Sequence, residues 1–259
     1  MMRKLVLGVV VAIVMASPLR AELKYTTHME AHKSTVPVTP DPMMSGMADT
    51  IIQMMMPSGP FNTVTTVGDK GIRMEPDKAM TGIPQGAWML IKPDNSMFVV
   101  NPADKTYWKM VMPDLSQMFP TPPNITTKAT GESATIAGIK ADKVIVDMKL
   151  PLPIPPGVTP PAGMPTELSF SQEVWTTKAF DKYKGPLGLV MKSMGMMALG
   201  GQKISDLGLA LKTVMRGGMY GDQEIEMVVT KIGEEAAPAD AFEIPAGYKE
   251  VPPRIGGLQ

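Results

Sequence analysis

Methionine is the residue type in this sequence with the widest range of possible chemistry. The chain of 259 residues has 26 methionines and no cysteine, and residues 41–57 read DPMMSGMADTIIQMMMP. Thioether sulfur is a soft ligand that favours Cu(I), and the clusters within 54–56, 110–112 and 194–197 could supply such ligands. Because methionine also adapts to irregular apolar surfaces, the same residues could instead line a hydrophobic cavity.

The distribution of the methionines favours the cavity. They occur singly on predicted strands, for example at Met74, Met89 and Met97, whereas a metal site would concentrate several ligands with histidine nearby. The two histidines, His28 and His32, lie four residues apart on a predicted strand. At ~3.3 Å per residue they are about 13 Å apart, too far to chelate one ion. We therefore expect the protein to bind no metal and no other cofactor. The alternative is a protein that binds copper through methionine.

Residues for catalysis are scarce. Two histidines and no cysteine leave little material for Ser-His-Asp or Cys-His arrangements. The sequence has no P-loop, dinucleotide fingerprint or G-x-S-x-G elbow. Glu224 and Glu226 share one face of a predicted strand, and we interpret them as its solvated side rather than as an acid–base pair. The sequence therefore predicts a protein without catalytic residues.

The first 21 residues have the layout of a cleaved signal peptide. A basic start, an apolar run over 5–16 and a small residue at Ala21 predict export to the periplasm. Cleavage would remove three of 25 basic residues and none of 25 acidic ones, leaving a net charge of −3. A weakly acidic chain without basic clusters is not expected to bind nucleic acid. No later apolar run reaches the ~18–20 residues of a membrane span.

The rest of the chain, 22–259, predicts a mainly β protein of one domain. Short runs rich in β-branched and aromatic residues alternate with turn signals, which indicates one curved antiparallel sheet, a half-barrel of about eleven strands. The predicted strand regions are 22–31, 61–76 (a hairpin), 87–111 (three strands), 125–150 (two strands), 167–177, 209–218 and 222–232.

Side-chain alternation predicts one dry face and one wet face. In 143–148, Val144, Val146 and Met148 oppose Lys143 and Asp147. In the same way, apolar residues in 223–229 oppose acidic ones. This pattern is typical of a sheet that is covered on one side.

Three segments depart from the β pattern. Residues 42–56 have a helix cap at Asp41, proline at the first helical position and a methionine-rich stripe, which predicts a helix. The segment 186–201 is apolar on nearly all sides and predicts a buried lid or plug. Seven prolines in 151–165 predict a long loop that interrupts the domain.

Two motifs bring a known superfamily into view. GIRMEP followed by WMLIKPDNSMFVVNPADKTYWKM (71–76 and 88–110), with DAFEIPAGYKEV at 240–251, resembles the LolA-like superfamily of periplasmic lipoprotein carriers. The match looks nearest to an exported domain-of-unknown-function family within it. The resemblance implies a half-barrel whose concave apolar face is closed by helices and holds acyl chains, or that serves as a sensor of lipoproteins. Arg73 matches the strand arginine that, in the carriers, faces the lid.

We therefore expect a periplasmic protein that binds a lipid, acyl chain or other hydrophobic molecule without catalysis. An interaction or sensor protein with an envelope protein partner, which contacts it through 151–165, is a second hypothesis, and copper binding is a third. The candidate site consists of a first lid, a second lid and a lining: Met44, Met47, Ile51, Met54 and Met55; Leu189, Val190, Met194 and Met197; and Arg73, Met89, Ile91, Met97, Val99, Val144, Val146, Ile225 and Met227.

Overall fold

The computed structural model describes residues 21–35, 59–110, 123–151, 166–193, 206–216 and 222–253. Within these ranges the chain forms twelve strands, one 3-10 turn and one α-helix. They are β1 (Ala21–Lys33), β2 (Phe61–Gly68), β3 (Gly71–Pro76), β4 (Trp88–Ile91), β5 (Met97–Asn101), β6 (Thr106–Met110), β7 (Asn124–Ile136), β8 (Ile139–Pro151), β9 (Glu167–Thr177), the turn Asp181–Tyr183, α1 (Lys184–Ser193), β10 (Leu209–Arg216), β11 (Gln223–Ala236) and β12 (Lys249–Glu250).

All twelve strands belong to one open, curved sheet. Their order is β12-β6-β5-β4-β3-β2-β1-β11-β10-β9-β8-β7, and every pair is antiparallel except β12 with β6. The predicted fold class, mainly β with a single antiparallel sheet of about eleven strands, is confirmed. The predicted helical cover is only partly described, because 42–56 lies outside the described residues and α1 is the one α-helix within them.

Tight turns set the register of the hairpins. Ala137 and Gly138 both have positive φ angles and form the two-residue link between β7 and β8, so that Ile136 pairs with Ile139. Such links match the right-handed twist of the strands that they join. Asp94 plays a similar part before β5, where its carboxylate accepts a hydrogen bond from the Ser96 backbone N–H at 2.9 Å.

One face of the sheet carries a continuous apolar row. Leu23, Val67, Ile72, Ile91 and Met97 pair in register across β1 to β5, and all five are buried in one cluster. We call the face that bears this row the inner face. The residues one position along each strand point the other way, because side chains alternate, and we call that side the outer face.

The inner face continues through the other half of the sheet. Val146 and Val174 are buried in a second cluster together with Ile225, whereas Asp147 on the alternate position of β8 is exposed. The predicted alternation in 143–148 is confirmed by this burial, whereas in 223–229 Ile225 and Val229 are buried as predicted but Glu224 is buried too.

The outer face is drier than the sequence predicts. The chain after β11 packs onto it, so that Trp88, Leu90 and Val100 are buried against Ala241 and Phe242. The prediction of a single covered side is therefore wrong at β4 and β5. Trp88–Ile91 has no polar residue on either face, so both faces of this strand can be buried, unlike the alternating strands from which the prediction was made.

Glu224 departs from its prediction as well. Its side chain is only 7% exposed, and it pairs with Arg216 and lies 3.3 Å from His32 Nε2. Arg216 also pairs with Glu173, which lies 3.0 Å from Lys143 Nζ. The interpretation of Glu224 as a solvated side chain is wrong, since arginine and histidine on neighbouring strands cover it.

We expect Gly71→Ala to destabilise the fold more than Gly138→Ala. Both glycines have positive φ, but a methyl group at Gly71 would collide with the Ile91 carbonyl oxygen, whereas the space around Gly138 is open. Backbone strain alone should cost Gly138→Ala about 1–2 kcal/mol, and the collision should roughly double that loss for Gly71→Ala. Urea unfolding measures both variants; equal losses would contradict the close approach of β3 and β4.

Candidate functional site

A short helix is fixed against the inner face. Phe180 and Tyr183, just before and within the 3-10 turn, are buried in the cluster of the apolar row, and Leu187 and Leu189 of α1 pack on the same cluster. The Tyr183 hydroxyl donates a hydrogen bond to the Ala21 carbonyl at 3.0 Å. These contacts fix the position of α1 over the inner face of β1, β2 and β3.

Two ion pairs hold the same segment at its exposed side. Lys182 Nζ lies 2.7 Å from a Glu234 carboxylate oxygen, and Lys184 Nζ lies 2.7 Å from Asp206. All four side chains are at least partly exposed, so solvent screens each pair and it adds little to stability. The apolar contacts are therefore the main anchor of the segment.

A cavity of about 320 Å³ lies between this segment and strands β1, β10 and β11. This volume is within the range of about 300–1,000 Å³ that is typical of small-molecule sites. The apolar side chains among its lining include Tyr25, Phe180, Leu187, Leu209, Leu211, Met227 and Val229. Polar groups come from Thr27, Thr213, Asp181, Lys184 and Lys212.

The two lysines of the lining form ion pairs with carboxylates that are not part of the lining. Lys212 Nζ lies 2.8 Å from Glu226 and 5.5 Å from the Trp175 ring centroid, and Lys184 pairs with Asp206. The cavity therefore offers mainly apolar surface, with the hydroxyls of Thr27 and Thr213 and the carboxylate of Asp181. Such a surface can bind a hydrophobic molecule by burial, and it can offer hydrogen bonds to a small polar part of that molecule.

Tyr25 is the cavity residue with the most perturbed chemistry. Its ring packs against two apolar clusters, and burial raises the pKa of its hydroxyl to about 12, although a hydrogen bond with Thr65 acts in the opposite direction. The phenol is therefore neutral over the physiological range and serves as a hydrogen-bonding group rather than a charge.

The predicted lining residues lie on the inner face but fall into separate groups. Of the predicted set that the structure describes, Met227 lines the cavity. The others belong to three clusters: Ile91, Met97 and Leu189 in the first; Val144, Val146 and Ile225 in the second; Met89 and Val99 in the third. Their roles as ligand contacts stay predictions.

Several predicted lid residues lie outside the described residues. They are Met44, Met47, Ile51, Met54, Met55, Met194 and Met197. The same holds for residues 1–20 and for 152–165, which contain most of the predicted signal peptide and Pro-rich loop. The backbone of Val190 lies in α1.

Arg73 occupies a different place from the one that the resemblance implies. It lies between Ile72 and Met74, which both pack with the inner-face cluster, so its side chain is on the outer face. There the guanidinium stacks over the Trp88 ring at 4.1 Å and donates to Glu75 at 2.8 Å. Arg73 is therefore on the side opposite α1.

The cavity contains residues that the sequence did not suggest as a site. Tyr25, Phe180, Leu187 and Leu209 were not among the predicted contacts, yet they form much of the wall. The alternation of Leu23, Tyr25 and Thr27 in β1 was a usable signal for the first of them. The position of Leu187 depends on how α1 docks, and no local pattern gives that.

Both histidines have protein partners. His28 Nδ1 lies 3.0 Å from Asn62 Oδ1, and His32 faces Glu224. Over the described ranges, no group of three or more histidine, cysteine, aspartate or glutamate side chains could hold a metal ion. Most of the methionine clusters lie outside those ranges, so the copper hypothesis stays a prediction, to be tested by Cu(I) titration.

Comparison with known proteins gives little further information. A scan against protein-family models matched no family, and a search of curated proteins found no match. Among solved structures, the chain is similar to the LolA superfamily protein NE2245 from Nitrosomonas europaea, with 9% sequence identity and a TM-score of 0.32, over 87% of this chain and 90% of that chain. A TM-score of this size carries no argument about function.

We expect the stability of the protein to fall between pH 10 and pH 12 in a way that depends on Tyr25. In that window the unfolded phenol loses its proton while the folded one keeps it, so the unfolded state is favoured as pH rises. The loss should reach about 2 kcal/mol, and Tyr25→Phe should remove it. Denaturant unfolding at several pH values measures the free energy of unfolding of the wild type and of Tyr25→Phe. An identical pH dependence in the two proteins would contradict the burial of the Tyr25 hydroxyl.

Proposed function

We propose that this chain is an exported, periplasmic protein that binds a hydrophobic small molecule, such as a lipid or acyl chain, without catalysing a reaction. The observation that carries the proposal is the cavity of about 320 Å³ between α1 and the inner face, with its largely apolar lining. Binding would be driven by removal of apolar surface from water, at roughly 25 cal/mol per Å².

The attachment of α1 suits a binding site that must admit its ligand. Lys182 and Lys184 hold the segment through exposed ion pairs, which are weak, and Leu187 and Leu189 are only partly buried. A shift confined to α1 would separate these half-buried leucines from the strands while the buried Phe180 and Tyr183 keep the preceding turn in place. The same shift would widen the cavity beside Leu209.

The proposed location follows from the predicted signal peptide. Among the described residues, no helix has the length and apolar character needed to cross a membrane. Binding in an apolar cavity would let such a protein hold a poorly soluble molecule in an aqueous compartment.

A second candidate is an interaction protein. β7 stands at the end of the sheet order and pairs with β8 over Asn124–Ala129 and Ser133–Ile136, with a register shift between the two stretches. The described residues place no strand on its other side. An envelope protein could add a strand to this edge, a common mode of peptide recognition. Crosslinking in cells would test it, and a stoichiometric protein partner at β7 would favour this candidate over ligand binding.

Native mass spectrometry tests the main proposal. Protein purified from the periplasm without detergent should carry an additional mass that organic extraction releases, because the cavity retains its apolar ligand. Protein that is consistently free of ligand, and that binds neither fatty acids nor phospholipids when they are added, would contradict the proposal.

Gly188→Phe should block the cavity. Gly188 lines the cavity from α1, and a side chain there meets no atom within 4 Å, so phenylalanine would extend into open space. We expect at least about a tenfold loss of affinity for the uncharged probe N-phenyl-1-naphthylamine, measured by fluorescence.

Gly185→Phe is the matched control. Gly185 belongs to the same helix and also has open space around it, but it is exposed and is not part of the cavity lining. The affinity of the Gly185→Phe variant for the probe should equal that of the wild type. An equal loss in both variants would show that the probe binds elsewhere or that α1 does not tolerate the substitution.

A further inference from the structure

The outer face carries a row of residues whose types differ from those on the inner face. Gly233, Lys24, Thr66 and Arg73 pair in register across β11, β1, β2 and β3. Strands lie roughly 4.8 Å apart, so the Cα atoms of Lys24 and Arg73 are separated by about 10 Å. Thr66 lies between them and is only 7% exposed, so it forms the bottom of a depression with one cation on each side.

The chain after β11 turns this row into a pocket. Ala236, Ala237, Pro238 and Ala241 form its wall, and the volume of the pocket is about 190 Å³. We call it the outer pocket. Ligand sites for drug-sized molecules occupy about 300–1,000 Å³, so the outer pocket suits a smaller compound. It lies on the opposite face from the hydrophobic cavity and is independent of the function proposed above.

Arg73 presents a fixed guanidinium to this pocket. It stacks on Trp88 at 4.1 Å, and one of its terminal nitrogens donates to Glu75 at 2.8 Å. Its Nε is buried without a hydrogen-bond partner, and the side chain as a whole is 26% exposed. A guanidinium has five N–H donors, so the exposed edge of this one has donors to spare for an anion, and stacking has already oriented it.

The other charged pair of the outer pocket can rearrange. Lys24 Nζ lies 3.5 Å from Glu235, and both side chains are 44% exposed. An exposed ion pair of this kind is screened by solvent and weak, so a ligand can separate the two groups easily. Glu235 also lies 3.4 Å from Lys231, which helps to hold the pKa of that carboxylate below its usual value.

We propose that the outer pocket binds a small zwitterion, of the class of a small α-amino acid. Two cations, Lys24 and Arg73, and two carboxylates, Glu75 and Glu235, line it, so a ligand with one charge of each sign is complementary. The ligand carboxylate takes the spare donors of Arg73 and Lys24. Its ammonium group lies at Glu235.

Titration calorimetry with L-alanine tests the charge requirement. Propionate, which lacks the ammonium group, and ethylamine, which lacks the carboxylate, are the matched probes. We expect L-alanine to bind at least about tenfold more tightly than either. No detectable binding of L-alanine at about 10 mM, or equal binding of propionate, would overturn the proposal.

Three variants locate the binding. Lys24→Met and Glu235→Gln alter exposed side chains and should each weaken L-alanine binding about tenfold without loss of fold. Arg73→Lys keeps the charge but loses the planar, stacked donors, and it should weaken binding at least as much. Lys149→Met removes another exposed cation, which pairs with Glu167 at 3.1 Å near the β7 end of the sheet, and should leave binding unchanged.

Nuclear magnetic resonance gives a readout that does not depend on affinity alone. The buried Nε–H of Arg73 should exchange slowly with water, so its signal should be visible and should shift when L-alanine is added. A shift in the wild type that disappears in Lys24→Met supports the proposal. Binding that persists in Lys24→Met and Glu235→Gln, with no change at the Arg73 signal, overturns it.

Discussion

The register between β1 and its two neighbours is the constraint on which the rest of the structure depends. β1 pairs with β2 on one side and with β11 on the other. A shift of one residue would send Leu23 to the outer face and Lys24 into the apolar row, because side chains alternate along a strand. Complete burial of Leu23 and Val67 makes such a shift costly. The inner cavity and the outer pocket are therefore two results of one alignment.

The two faces differ in how they satisfy their buried groups. On the inner face apolar side chains pack against α1, whereas on the outer face ion pairs cross the strands. Burial alone would raise the pKa of Glu173, but hydrogen bonds from Lys143 and Arg216 hold it below its usual value. Its contribution to stability is therefore present at neutral pH and is lost as pH falls through the lowered pKa. A half-buried carboxylate is tolerable here because Lys143 and Arg216, on the adjacent strands, pair with it.

Local pattern was enough to predict most strands, as for Val146 and Met148 on either side of Asp147 and for Ile225 between Glu224 and Glu226. It failed where a residue's surroundings come from distant segments. Glu224 looks solvated on its own strand, yet His32 and Arg216 cover it. Trp88 is buried by the chain after β11. The candidate cavity depends in the same way on the docking of α1, which explains why Tyr25 and Leu187 escaped a prediction based on methionine content.

The position of β1 in the middle of the sheet has a consequence for the order of folding. Its partner strand β11 is more than 180 residues away along the chain, as the pairing of Lys33 with Gln223 shows. Contacts of such long sequence separation form slowly, because a large loop must close first. The two halves of the sheet can therefore form hairpins early but join only when β11 has been made. Until then an open β1 edge needs protection from other chains.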